Sequence, residues 1–235
     1  PSNSKLRNYS FGFDKEKHCA LWVAYPLHSC YLGSTSRTDA FDYDPDCIDN
    51  SYEANIGNNA YYPKNGETYS HSRGHQLPSA DRQCCYEANA QTFYGTNMTP
   101  QLNEHNEGIW SALEGRVRTW SDSADTLYVV TGVVVSPSSR IEKDSYGNNV
   151  TVPDAYFKAV LKYSKSSTLG TWNAAAFYLE HREYSGGIQK SHSMSIDKLE
   201  EKTGIDFFAN LPAKVGEATA TNIEKQDPAT SNVWW

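Results

Sequence analysis

A chain of 235 residues with 16 tyrosines, 6 tryptophans and a net charge of −7 carries enough apolar and aromatic surface to bury one substantial core. A single folded domain is therefore expected, and a disordered or low-complexity chain is excluded. No apolar run approaches the roughly 18 residues of a membrane helix, and the acidic balance argues against a protein that coats a polyanion through a global basic surface.

The chain opens Pro1-Ser2-Asn3-Ser4-Lys5, without the apolar core of a signal peptide, as in a cytoplasmic chain or a processed, mature one. Residues 20–27 read as a strand closed by Pro26. Residues 33–66 are rich in Asp, Asn, Ser and Tyr, without sustained periodicity. They read as a long surface loop, a length usually kept for function. A short strand over 67–69, ending at Tyr69, leads into Ser72-Arg73-Gly74-His75-Gln76-Leu77-Pro78. The clearest helix spans 103–121, where Ile109, Trp110, Leu113, Val117 and Trp120 fall on one stripe. Strands follow over 127–135, 156–163 and 172–180, the last two parted by a Ser-rich turn. Ser195 caps a helix through Glu201, which Gly204 ends. Strands with one long helix between them give an α+β class with a mainly antiparallel sheet.

Five cysteines, Cys19, Cys30, Cys47, Cys84 and Cys85, allow up to two bridges and one leftover thiol. Cys84 and Cys85 are poor partners for each other across one peptide bond. The competing reading is five reduced, buried thiols. Bridges would fit an exported chain, periplasmic or extracellular in a bacterium. Zinc finds no CxxC pair to start a site. His71 and His75, four apart, would need a helix to present both rings, and Gly74 and Pro78 make a helix poor.

Chemistry concentrates in two stretches. In the first, Gly74 lets the backbone approach a partner closely. Arg73 beside His75 suits a phosphate and favours the neutral imidazole that a general base requires. In the second, Asn106-Glu107-Gly108-Ile109-Trp110, the Asn106 amide oxygen is an acceptable hard ligand for Mg²⁺, which needs few protein ligands. Glu114 lies eight residues on, roughly 12 Å along a helix axis, so it reaches Asn106 only by leaning back toward the N-terminus. The bland alternatives are a solvated His75, a capping Asn106 and a surface-paired Glu114. A base, a cation and a neutral oxygen ligand together are the parts for attacking a phosphodiester with one divalent metal.

These residues resemble the DNA/RNA non-specific endonucleases, of the ββα-metal (His-Me finger) group. The signature Asp-Arg-Gly-His stands here as Ser72-Arg73-Gly74-His75, and Asn-x-x-Pro-Gln as Asn97-Met98-Thr99-Pro100-Gln101. Asn-x-Gly-x-Trp is Asn106 to Trp110, followed by Leu113-Glu114. Trp22-Val23-Ala24-Tyr25, Ile196-Asp197-Lys198-Leu199-Glu200 and Thr203-Gly204-Ile205-Asp206-Phe207-Phe208 extend the likeness over nearly the whole chain.

The resemblance implies a ββα-metal nuclease fold with the long metal-site helix packed on the sheet. It implies Mg²⁺ as cofactor, with Mn²⁺ able to substitute, and DNA and RNA as substrates, cut to 5′-phosphate and 3′-hydroxyl ends. His75 would be the general base, Asn106 the direct metal ligand, and Glu114 the residue orienting water on the metal. Arg73 and Asn97 would support the phosphate and the metal's water shell, with Arg37 as an upstream arginine. Serine at 72 departs from the signature aspartate and removes one negative charge, which bears on metal affinity and pH optimum. The contrasting function is an inactive relative that binds nucleic acid or a protein partner.

Overall fold

A computed structural model describes residues 7–47, 49–54, 71–144, 146–165 and 171–235. The strand expected over 67–69, the turn at 166–170 and the later part of the 33–66 loop lie wholly or partly outside them. In chain order the strands and helices are β1 (Ser10–Asp14), β2 (Cys19–Leu27), β3 (His71–His75), α1 (Tyr86–Gln91), β4 (Met98–Leu102) and α2 (Asn103–His105). Then come α3 (Ser111–Ser121), β5 (Thr126–Val134), β6 (Ile141–Lys143), β7 (Asn149–Thr151), β8 (Ala155–Ser164) and β9 (Thr171–Glu180). The chain closes with β10 (Ser193–Met194), α4 (Ile196–Thr203), α5 (Leu211–Val215) and α6 (Glu217–Glu224).

The main sheet has six strands in the order β1-β2-β5-β8-β9-β10, with every neighbouring pair antiparallel. Its central strands are β-branched and aromatic, as suits a half-buried pleated surface. One face packs against α3 through Leu113, Val117 and Trp120 with Val129, Val160 and Phe177. The other carries Phe157, Leu161 and Ala176 against Ile196, Leu199 and Ile223 of the C-terminal helices and Phe207 of the turn between α4 and α5. Burying each large side chain contributes roughly 1.5–3 kcal/mol, so the helices are fixed from both sides.

Pro26 sits inside β2 rather than closing it. It pairs with Tyr128 of β5, whereas the ladder to β1 ends at Ala24, so the missing N–H faces no second strand. The Ser195 cap forms, its Oγ accepting from Lys198 N at 3.3 Å, and Gly204 ends α4 in the left-handed region at φ 70°. The continuous helix expected over 103–121 is interrupted. A widened turn over Asn106–Trp110 separates α2 from α3, with Gly108 at φ −92°, ψ −110°.

All five cysteines are free thiols in this structure, Cys19 buried and Cys30 exposed, and the bridges expected among them are not formed. Among the described residues no helix is long and apolar enough to cross a membrane.

Candidate active site

Strand β3, held against β4, and the helical segment that follows β4 line a polar cleft of about 380 Å³. The register pairs His75 with Met98, Gly74 with Thr99 and Arg73 with Pro100. At Gly74 a Cβ would stand 2.5 Å from Gln101 Oε1 and 3.1 Å from Thr99 O. The glycine is thus required by close approach to β4, and its backbone is not in the left-handed region.

Five of the six residues expected in the site line the cleft: Arg37, Arg73, His75, Asn106 and Glu114, together with Phe41, Ser72, Ser79, Glu107 and Ser111. Asn97 does not. It is fully buried, its Oδ1 accepting from Leu77 N at 2.8 Å while Nδ2 donates to Leu77 O at 2.9 Å and Thr92 O at 2.7 Å. Asn97 O also accepts from Gln76 N at 3.0 Å. With its amide committed to backbone, Asn97 locks the chain as it leaves His75 and does not line the cleft.

His75 stands edge-on to Phe93, ring centroids 4.9 Å apart, and lies 6.4 Å from Phe41. Burial, then Arg37 and Arg73, push its pKa down to about 3, against a backbone hydrogen bond to Arg73. The imidazole is therefore neutral near pH 7, and its Nε2 is buried with no hydrogen-bond partner among the described residues. The guanidiniums are held by aromatic faces. Arg73 Cζ lies 3.4 Å from the Phe41 ring centroid, and Arg37 Cζ lies 4.6 Å from that of Phe93. Arg37 also donates to Ser79 Oγ at 3.0 Å and pairs with exposed Asp39 at 2.6 Å. Both arginines thus turn toward the cleft from fixed platforms.

Asn106 and Glu114 share the cleft because of the widened turn, which a regular helix would have replaced with a one-sided stripe. Ile109, Trp110 and Leu113 stay buried while Asn106, Ser111 and Glu114 face the polar side. Glu114 is pushed up to about 7 by burial and by Asp81, against the pull of Lys158, Arg118 and Arg37. Lys158, fully buried on β8, is pushed down to about 8 by burial, against Glu114 and Asp81. Arg118 pairs with Asp81 at 2.9 Å, and Tyr25 donates to the same carboxylate at 3.2 Å.

Sequence reasoning missed Phe41, Phe93, Lys158 and the Arg118–Asp81 pair. A single lysine inside the apolar run of 155–161 was the available signal for Lys158, and the i, i+4 spacing from Glu114 was that for Arg118. Nothing local marks Phe41 or Phe93. Ser72 donates to Asn103 Oδ1 at 2.6 Å, tying β3 to the start of α2 where the signature aspartate would stand.

The donor set suits a hard cation that keeps most of its waters: the Asn106 amide oxygen and the Glu114 carboxyl, oxygen donors that share one polar cleft. Among the described residues no three His, Cys, Asp or Glu side chains converge as a soft or zinc site would need. His71 and His75 lie four residues apart on one strand, which separates their backbones by about 13 Å.

A family model for DNA/RNA non-specific endonucleases matches residues 1–214. The chain is 29% identical over 221 residues to a nuclease of Nostoc sp., covering 92% of this chain and 76% of that one. It is 25% identical over 221 residues to mitochondrial endonuclease G of Bos taurus, covering 91% and 71%. A solved structure of the EndoG/EndoGI complex contains a chain of similar fold, with TM-score 0.67, 20% identity, and coverage of 88% and 84%.

Proposed function

From the premise that this chain belongs to the DNA/RNA non-specific endonuclease family, we propose that it cuts DNA and RNA internally with little sequence preference. The cut depends on Mg²⁺ and leaves 5′-phosphate and 3′-hydroxyl ends. The chain is a nuclease, a hydrolase of phosphodiester bonds, and what is proposed is the metal, the products and the part each residue plays. The observation that carries the reading is a neutral imidazole whose buried Nε2 has no partner among the described residues, flanked by two guanidiniums and sharing one cleft with Asn106 and Glu114.

Arg37 and Arg73 hold the scissile phosphate through charge-assisted hydrogen bonds, and the aromatic rings behind them limit the entropy lost when they do so. His75 Nε2 takes a proton from a water aimed at phosphorus, opposite the 3′ oxygen. The new P–O bond forms as the bond to the 3′ oxygen breaks, and that oxygen leaves as a hydroxyl after gaining a proton from solvent. Asn106 would hold the cation directly, with Glu114 orienting its water shell. When bound, the cation neutralises charge growing on the phosphate and the leaving oxygen. Lys158, Arg118 and Asp81 set how readily Glu114 ionises.

Supercoiled plasmid and a single-stranded RNA, incubated with Mg²⁺ and then with excess chelator, test this reading. Nicking and RNA cleavage that stop on chelation are expected, with DNA ends that accept kinase label only after phosphatase treatment. A folded protein that binds both nucleic acids and cuts neither with Mg²⁺ or Mn²⁺ would overturn it in favour of an inactive binder.

A further inference from the structure

His181 lies outside the cleft, just beyond the end of β9, yet both of its ring nitrogens are engaged at short range. Nε2 accepts the backbone N–H of Leu102 at 2.7 Å. Nδ1 faces Pro153 O at 2.7 Å, where only a donor can bond a carbonyl. One neutral tautomer, with the proton on Nδ1, satisfies both contacts. The backbone of His181 is itself pinned to the sheet, its N–H donating to Asp154 O at 2.9 Å.

Leu102 is the hinge between β4 and the helix that carries Asn106. Its N–H needs a partner, and the start of α2 has no side-chain cap of the ordinary kind. The imidazole takes that place, and its ring packs edge-on to His105, centroids 5.4 Å apart, one residue before Asn106. Tyr156 lies edge-on at 5.0 Å and His71 at 6.0 Å, so aromatic rings from β8 and β3 close around it. From the opposite side Ser72 fixes the next residue, Asn103. The hinge is thus gripped by the main sheet and by the hairpin, four residues before Asn106 or about 6 Å of helical rise.

We infer that His181 is a positioning residue for the metal ligand, a neutral imidazole acceptor that ties the hinge at Leu102 to the main sheet and so fixes where Asn106 presents its oxygen. The inference rests on Asn106 being the ligand, as proposed above. Burial holds His181 down to about 4, against the Pro153 bond and Asp154, so the acceptor survives at neutral pH. Partners one step removed from a metal commonly change its affinity by about 10–100-fold. The same scale is expected for a hinge whose displacement moves a sole protein ligand.

The test is titration of the intact protein with Mn²⁺ alone, followed by electron paramagnetic resonance, beside a thermal melt of each variant. His181→Phe keeps a ring and removes the acceptor, and should weaken Mn²⁺ binding by about tenfold or more. His181→Gln keeps an acceptor at similar reach and should stay within about threefold of the parent. A folded His181→Phe protein with parental affinity, or a Gln variant as weak as Phe, would overturn the inference. Asn106→Ala separates the two levels: parental Mn²⁺ affinity there sinks the ligand assignment itself, whereas weakened binding with His181→Phe unchanged sinks only the role of His181. Should the Phe variant fail to fold, ¹⁵N imidazole spectra of the parent protein decide, with the signal lost in His181→Gln giving the assignment. A bare, accepting Nε2 supports the inference and a protonated Nε2 ends it.

Discussion

The two walls of the cleft are built differently. His75 and Asn106 sit on a β-hairpin and a helix whose backbones are fixed by a ladder, by the Asn97 lock and by the grip on Leu102. Arg37 and Phe41 sit on an irregular loop held by side chains: Arg37 on Ser79, Thr38 N on Asn89 Oδ1 at 3.0 Å, and Phe41 edge-on to Phe93 at 4.9 Å. Groups that must meet a reacting atom within tenths of an ångström lie on the stiff wall. Of the two guanidiniums proposed to grip the phosphate, Arg73 reaches it from the stiff wall, while Arg37 and the Phe41 ring behind Arg73 lie on the adjustable one. That division suits an enzyme with little sequence preference.

The largest effect should come from the stiff wall. His75→Ala removes the proposed base and should lower kcat by about 10²–10⁴-fold, with an unchanged far-ultraviolet spectrum and parental Mn²⁺ affinity. Cleavage near the parental rate in the folded variant would move the base elsewhere.

Asn106→Ala, on the same wall, should raise the Mg²⁺ concentration needed for half-maximal cleavage by about 10–100-fold, since no second described ligand compensates. Superimposable Mg²⁺ titrations would place the metal on other residues.

Glu114 sharpens the comparison through pH. Its carboxyl is protonated below about 7 and charged above, so metal affinity should rise as pH climbs through that value, by up to about tenfold per pH unit on the acid side. His75 cannot supply this slope, because it is already neutral far above about 3. In Glu114→Gln the dependence should flatten and the affinity fall at pH 8. A slope that persists in the Gln variant would trace it to another group.

The smallest effect should come from the adjustable wall. Phe41→Leu removes the face under Arg73, a cation–π contact of about 0.5–1 kcal/mol at a half-exposed site, and should raise KM by roughly twofold to fivefold on that scale while kcat holds. Steady-state kinetics on a short duplex reads the split, and a fall in kcat alone would show that Phe41 acts on the chemistry through His75.

Features with local signals were legible in the chain alone. Short apolar runs bounded by Pro- and Ser-containing turns placed β2, β5, β8 and β9 to within a residue or so. Ser195 and Gly204 bounded α4, and the motifs around His75 and Asn106 named four residues, Arg73, His75, Asn106 and Glu114, that the fold gathers into one cleft with Arg37. Whatever depends on distant neighbours was settled in three dimensions. Asn97 carries the same amide as Asn106, yet backbone groups of Leu77 and Thr92 consume it and turn a candidate site residue into a lock. The apolar stripe over 103–121 is real, but it spans a widened turn that periodicity cannot register, since buried positions stay buried while Asn106 and Glu114 swing together. Cys84 and Cys85, read as candidates for bridging, remain thiols with sulfurs 3.9 Å apart. Phe41, Phe93, Lys158 and His181 owe their roles to partners far along the chain, as with His181 and Leu102, 79 positions apart. Propensity and spacing act over one or two turns of chain; the electrostatics and geometry of a site are set by whatever the fold brings alongside.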